Sequence, residues 1–213
     1  ERRQKSDFSL VDLEVEDLYA KTSARPSTVD TILKRKKQAL LLGDAGAGKS
    51  TSLLLWANSI NREWSFGKPW VRFVPLNRYS DRGLRALIFE AFPELRPIDL
   101  VPMIADGKMI LILDGLNECP HGLYDDCVQG IKQLLSDNPN GKIFVSSRLS
   151  HDPADLKPDR FVIRPMEQNL KAKFLTYKFQ DSKRAEELLE LIEKRPDTNQ
   201  LSSNPVALSM IAE

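Results

Sequence analysis

Gly43-Asp44-Ala45-Gly46-Ala47-Gly48-Lys49-Ser50-Thr51 lies between two apolar runs, Ala39-Leu40-Leu41-Leu42 and Leu53-Leu54-Leu55-Trp56. The spelling is G-x-x-x-x-G-K-[ST], in the order strand, glycine-rich loop, helix. Glycines let the backbone curl until successive N–H groups face one point, and a helix start adds the positive end of its dipole there. The loop is therefore expected to cradle phosphate through Gly43, Ala45, Gly46, Ala47 and Gly48, with the Lys49 ammonium reaching the β- and γ-phosphates. Ser50 offers a hydroxyl for Mg2+, and Thr51 supports the first helical turn. The plainer alternative is a glycine-rich turn with a solvated lysine.

Outward from the loop, short apolar segments recur at Val71–Leu76, Met109–Leu113, Ile143–Val145 and Phe161–Ile163. They hardly alternate, as befits strands covered on both faces of a parallel sheet, and the intervals between them can hold crossover helices. One such helix is explicit: Tyr124, Cys127, Val128, Ile131, Leu134 and Leu135 follow helical spacing, and Asn140-Gly141 then turns the chain into the next strand. The fold class expected is α/β with repeated βα units. Ahead of the loop, Val11 to Glu16 alternates as a short edge strand. Ser27-Thr28-Val29-Asp30 reads as a capping-box start, and the helix it opens ends in the basic run Lys34 to Lys37. After Pro165, the stripes Leu170, Phe174, Tyr177 and Ala185, Leu188, Leu189, Ile192 are helical with no strand between them, and Asn204-Pro205 opens a further apolar helix. The division expected is a leading strand and helix at 1–37, a core at 38–166 and the start of a helical subdomain at 167–213, the whole being a piece of a longer chain.

Composition narrows the function classes. The 213 residues, 41% of them hydrophobic, suit one sizeable core. Lys and Arg total 31 against 30 Asp and Glu, so no overall field favours nucleic acid or membrane. No apolar run approaches the roughly twenty residues of a bilayer span, and Glu1-Arg2-Arg3-Gln4-Lys5 is no secretory leader, which makes a cytoplasmic location the expectation. Cys119 and Cys127 are read as free thiols; with His121 they make a poor zinc set for want of a fourth ligand. The chain has two histidines and no G-x-S-x-G elbow, which leaves little for serine-hydrolase chemistry. Lys34 to Lys37 is read as a solvated helix end, and Trp64 and Trp70, which flank a Gly67-Lys68-Pro69 turn, as packing residues.

The run Met109-Ile110-Leu111-Ile112-Leu113-Asp114 ends an apolar strand in a carboxylate, the way a magnesium-side aspartate is delivered beside a phosphate loop. Glu118, four residues on, is placed to orient or deprotonate a water aimed at the γ-phosphate; a solvated loop glutamate is the alternative. Arg148 ends the next strand at the edge where open parallel sheets place ligands, and a guanidinium there could sense the third phosphate, unless it simply ends the strand in water.

These residues together resemble the NACHT family of STAND-class P-loop NTPases, within the ASCE division. The resemblance rests on Gly43 to Thr51, on Leu111 and Asp114-Gly115-Leu116-Asn117-Glu118, on Val145-Ser146-Ser147-Arg148 and on the order of their strands. Phe73-Val74-Pro75-Leu76-Asn77-Arg78 and Asn204-Pro205 add support, and coverage runs from about Phe8 to the end. The resemblance implies a five-stranded parallel ATPase core followed by a helical domain, within a larger chain that also carries effector and sensor domains. Such proteins are switches, in some cases of immune defence: ADP holds them closed, and ATP opens them to oligomerise. By the resemblance Arg148 contacts the terminal phosphate and Pro205 lies against the adenine, which is compatible with a plain helix-opening proline.

One departure stands out. The family's D-G-h-D-E pattern carries Asn117 at its second acidic position, while Glu118 is kept. An amide can position water but cannot take its proton, so slow hydrolysis that falls to Glu118 is expected. The alternatives are a steadily hydrolysing motor or processing ATPase and a non-hydrolysing scaffold that keeps nucleotide as a structural ligand. GTP is disfavoured because no N-K-x-D motif occurs.

Overall fold

Each apolar run carries Leu, Ile, Val or Phe on both faces, and only a strand covered on both sides can bury them. The computed structural model describes residues 13–18, 27–62, 65, 67–91 and 97–213. Its strands are β1 (Glu14–Asp17), β2 (Ser27–Thr28), β3 (Gln38–Leu42), β4 (Trp70–Pro75), β5 (Met109–Asp114), β6 (Lys142–Ser147) and β7 (Asp159–Ile163). Its helices are α1 (Val29–Arg35), α2 (Lys49–Arg62), α3 (Gly83–Glu90), α4 (Pro97–Ala105), α5 (Tyr124–Asp137), α6 (Gln168–Phe179), α7 (Ser182–Glu193), α8 (Pro196–Leu201) and α9 (Pro205–Ile211).

The seven strands form one sheet in the order β2-β1-β7-β3-β6-β5-β4. From β7 to β4 every pairing is parallel, as expected of the core, and the crossovers hold α2, then α3 with α4, then α5. The leading strand departs from expectation. It pairs antiparallel with β7 on one side and, through Glu14↔Thr28 and Val15↔Ser27, with β2 on the other, so β2 and not β1 is the edge. Val11 and Asp12, Trp64 and the Phe8 start of the family resemblance lie outside the described residues. Because Ser27 and Thr28 are extended for this pairing, the helix cap shifts by one residue: the Thr28 hydroxyl, not Ser27, accepts the Thr31 N–H at 3.2 Å.

Period-2 alternation sorts the strand residues into two apolar clusters. Ala39, Leu41, Ile110, Ile112 and Phe144 face the side covered by α1, α2 and the C-terminal helices, where the buried Trp56 meets the Phe144 ring edge-on. Leu40, Leu42, Leu111, Leu113 and Val145 face α3 and α5. α5 lays Cys127, Val128, Ile131 and Leu135 into the second cluster. α6, α7 and α9 contribute Leu170, Leu175, Ala185, Ile192 and Leu208 to the first, so the helical segment shares the core of the sheet. In α6, Tyr177 is exposed, and Lys171 takes the buried place: its ammonium donates to the Asn199 backbone oxygen at 2.9 Å and side-chain oxygen at 2.7 Å. Among the described residues no helix is long and apolar enough to cross a membrane.

The basic run ends α1 as expected and is tied down locally. Lys34 pairs with Asp30 and Lys36 with Asp159, each at 2.7 Å, and Lys37 donates to Asn140 Oδ1 at 2.7 Å. Between β6 and β7 the chain makes no regular crossover, and Arg160 organises that connection. The residue is 5% exposed; its Nε donates to both Asp152 oxygens at 2.9 and 3.0 Å, and Nη2 reaches the backbone oxygens of Pro153, Ala154 and Leu156. Truncation strands a half-buried carboxylate and several carbonyls together. Arg160→Ala is expected to lower the unfolding free energy by about 3 kcal/mol in a urea titration, and a loss under about 1 kcal/mol would contradict this role.

Candidate functional site

Strand register brings the chemistry to one edge of the sheet. Leu42 lies opposite Ser147, and Leu113 opposite Val145, so Gly43, Arg148 and Asp114 leave their strands at neighbouring levels. β6 lies between β3 and β5, which sets Asp114 one strand away from the glycine-rich loop. Ser146 spans that gap. Its hydroxyl, fully buried, donates to Asp114 Oδ1 at 2.5 Å and accepts the Gly115 N–H at 2.8 Å, fixing both the carboxylate and the turn after it. Gly115 takes φ +76°, and a Cβ there would stand 3.2 Å from Glu118 Oε2, so the glycine leaves the room into which the glutamate folds back.

At the loop itself, α2 begins at Lys49, and its ammonium turns back to donate to the carbonyls of Gly43 at 2.7 Å and Asp44 at 2.9 Å. Burial lowers the Lys49 pKa; the Asp114 carboxylate opposes that shift, and Arg148 adds to it. Facing the loop is a cavity of about 170 Å3, lined by residues 45–51 together with Gly115, Asn117, Glu118, Ser146 and Arg148. The structure thus brings together Ala45, Gly46, Ala47, Gly48, Lys49, Ser50, Thr51, Asn117, Glu118 and Arg148 around one space, with Asp114 behind Ser146 and Gly43 behind Lys49. Asn117 has a task that its sequence position does not announce: its Oδ1 accepts the Arg148 N–H at 3.0 Å and ties the two strand ends together.

Pro205 lies outside this space and lines an adjoining cavity of about 300 Å3 with Asp44, Ala47, Ile163, Arg164 and Gln200. Between the two cavities stands Asn204. It caps α9 by accepting the Val206 and Ala207 N–H groups, and its Nδ2 donates to the Ala45 carbonyl in the glycine-rich loop at 2.7 Å. Ser146 and Asn204 are the site residues that sequence reasoning missed. A small polar residue near the C-terminal end of a central strand is a signal for the first. Asn204 was legible as a helix cap, but its contact with a loop 159 residues away was not.

The donor atoms of Ser50 and Asp114 decide which metal this site suits. Among the described residues no group of three or more His, Cys, Asp or Glu could hold an ion, so the chain offers no closed cage. One hydroxyl and one carboxylate are hard oxygen donors, and Mg2+ is held by such sparse sets when phosphate and water complete its shell. The residues fit that ion. Cys119 and Cys127 are buried free thiols, and burial pushes both up.

No protein-family model and no curated protein sequence matches the chain. Solved structures do. A chain of the HORMA:CdnC:Trip13 complex of E. coli MS115-1 is 14% identical (TM-score 0.46; 86% of this chain, 76% of that one). Cdc6p of Pyrobaculum aerophilum is 15% identical (0.47; 85% and 56%). PH0952 of Pyrococcus horikoshii, a signal transduction ATPase with numerous domains (STAND) and a tetratricopeptide repeat sensor, is 14% identical (0.53; 86% and 28%). Of these three, PH0952 is near enough to bear on architecture. The fold is that of a P-loop NTPase. The chain spans a little over a quarter of PH0952, and at this identity the likeness concerns the fold alone.

The Asn204 contact is testable within this P-loop fold. A Cβ on Gly46, whose φ is +75°, would meet Asn204 Oδ1 at 2.7 Å and Val206 Cβ at 3.1 Å. Gly46→Ala is expected to cost about 1–2 kcal/mol from its left-handed backbone alone. In a double-mutant cycle with Asn204→Ala, a coupling of about 1 kcal/mol is expected from thermal melts, and additivity within about 0.3 kcal/mol would remove the contact from the account.

Proposed function

We propose that the chain is an ATP/ADP-binding switch domain of the NACHT type, with slow, resetting hydrolysis. The observation that carries this reading is the convergence of the glycine-rich loop, Lys49, Glu118 and Arg148 on one cavity, with Asp114 held behind its wall by Ser146, beside the space lined by Pro205. Loop amides from Gly43 to Thr51 and the start of α2 bind the phosphates, and Lys49 moves from the Gly43 and Asp44 carbonyls to phosphate oxygens. Ser50 and Asp114 are the residues that would hold Mg2+, which when bound would neutralise charge on the phosphates. Glu118 orients or deprotonates the attacking water, Arg148 senses the terminal phosphate, and Pro205 packs on the adenine.

Slow turnover follows from Asn117. Its carbonyl oxygen is committed to the Arg148 backbone and its amide takes up no proton, which leaves Glu118 as the sole base of the pair. The same residue supports the second reading, a non-hydrolysing scaffold with nucleotide as a structural ligand. The Asn204 contact favours a switch over a steadily turning motor, because it links the helical segment to the loop that holds phosphate. We take 1–37, 38–166 and 167–213 as leading, nucleotide and helical units of a longer cytoplasmic chain with effector and sensor domains, one that oligomerises when activated. Nucleic acid is not indicated by a formal net charge of +1.

Lys49→Ala is expected to abolish ADP binding in calorimetry while the fold survives, and Asp114→Ala to remove its magnesium dependence. Wild-type affinity in the first variant or an unchanged metal titration in the second would contradict the assignment. Phosphate release by the intact chain is expected well below about 1 per second; faster sustained release would favour a motor.

A further inference from the structure

Apart from Val206, two parts of the chain line the phosphate cavity: residues 45–51, and the residues Gly115, Asn117, Glu118, Ser146 and Arg148 at the ends of β5 and β6. Ala47 also lines the adjoining cavity of Pro205, whereas none of the β5 and β6 residues does. With a base beside Pro205 and a phosphate chain along the loop, the ends of β5 and β6 are what the last phosphate meets.

Arg148 lies past its strand pairings, since β3 pairs with β6 as far as Ser147 and β5 as far as Val145. Its backbone is held locally instead. The Arg148 N–H donates to Asn117 Oδ1 at 3.0 Å, and its carbonyl accepts the His151 N–H at 3.0 Å. A backbone N–H can only donate, so the oxygen of the Asn117 amide is the atom that faces it. The amide nitrogen is thereby turned away from that bond with two N–H donors to offer. Asn117 is half-buried at the cavity, and among the described residues its side chain makes no other hydrogen bond. An aspartate in its place could accept the same Arg148 N–H. It would have no donor to offer, and it would add a third carboxylate to Asp114 and Glu118 where a polyanion has to approach.

We infer, resting on the nucleotide reading of this site, that Asn117 is a specificity-determining residue that favours a nucleoside triphosphate over a diphosphate. Oδ1 stays on the Arg148 backbone, and Nδ2 donates to an oxygen of the terminal phosphate. Asn117 and Arg148 then read the same group, one through an amide and the other through a guanidinium, and one hydrogen bond fixes their relative position. A role confined to tying the strand ends makes a different demand, because an aspartate meets it equally well.

Calorimetry on the intact protein separates the two roles, with ADP and with adenylyl imidodiphosphate, a triphosphate analogue that resists hydrolysis, at one saturating Mg2+ concentration. Asn117→Ala is expected to weaken the analogue about tenfold and Asn117→Asp at least as much, with ADP affinity within about twofold of the parent in both. The parent's ratio of analogue to ADP affinity in Asn117→Asp, tighter analogue binding there, or equal losses for the two nucleotides in both variants would overturn the inference and leave the nucleotide reading standing. A parent protein that binds neither nucleotide would overturn both.

Discussion

Ser146 is the joint on which the arrangement depends. In this sheet the strand that leads into the glycine-rich loop and the strand that ends in Asp114 are not neighbours, because β6 lies between them. A buried hydroxyl that donates to Asp114 and accepts from Gly115 converts that separation into a fixed offset. With the carboxylate held, the turn after β5 can bring Asn117 to the Arg148 backbone and Glu118 to the cavity. Hydrogen bonds in so dry a place are strong when satisfied and costly when broken, which makes a short polar bridge an effective ruler.

A second constraint acts from the far end of the sequence. Asn204 opens α9 and grips the Ala45 carbonyl, so the helical segment and the glycine-rich loop move together or the bond breaks. The loop's own carbonyls are held by Lys49 on one side and Asn204 on the other. Anion binding that draws Lys49 away would change this balance, and that is the physical content of the switch we propose. The shared apolar cluster under α6, α7 and α9 adds a cost to separating the segments.

Much of this was legible in the residues. The parallel strands declared themselves because each is buried on both faces and so is apolar without alternation, and the loop declared itself by glycine spacing. The leading segment was harder. Ser27 and Thr28 carry helix-cap chemistry, and their pairing with Glu14 and Val15 depends on a partner the local pattern does not reveal. Tyr177, placed on the α6 stripe, is exposed, while Lys171 is buried because its ammonium finds the Asn199 oxygens, a tertiary fact absent from helical periodicity. Ser146 and Asn204 were invisible as site residues for the same reason: their partners lie 32 and 159 positions away.

The most direct test of the central claim is amide hydrogen exchange with and without ADP and Mg2+. Exchange should slow at residues 43–51, at 115–118 after β5 and at the start of α9, and stay unchanged along α3 and α4. Protection confined to other surfaces, with the glycine-rich loop exchanging as before, would contradict the account.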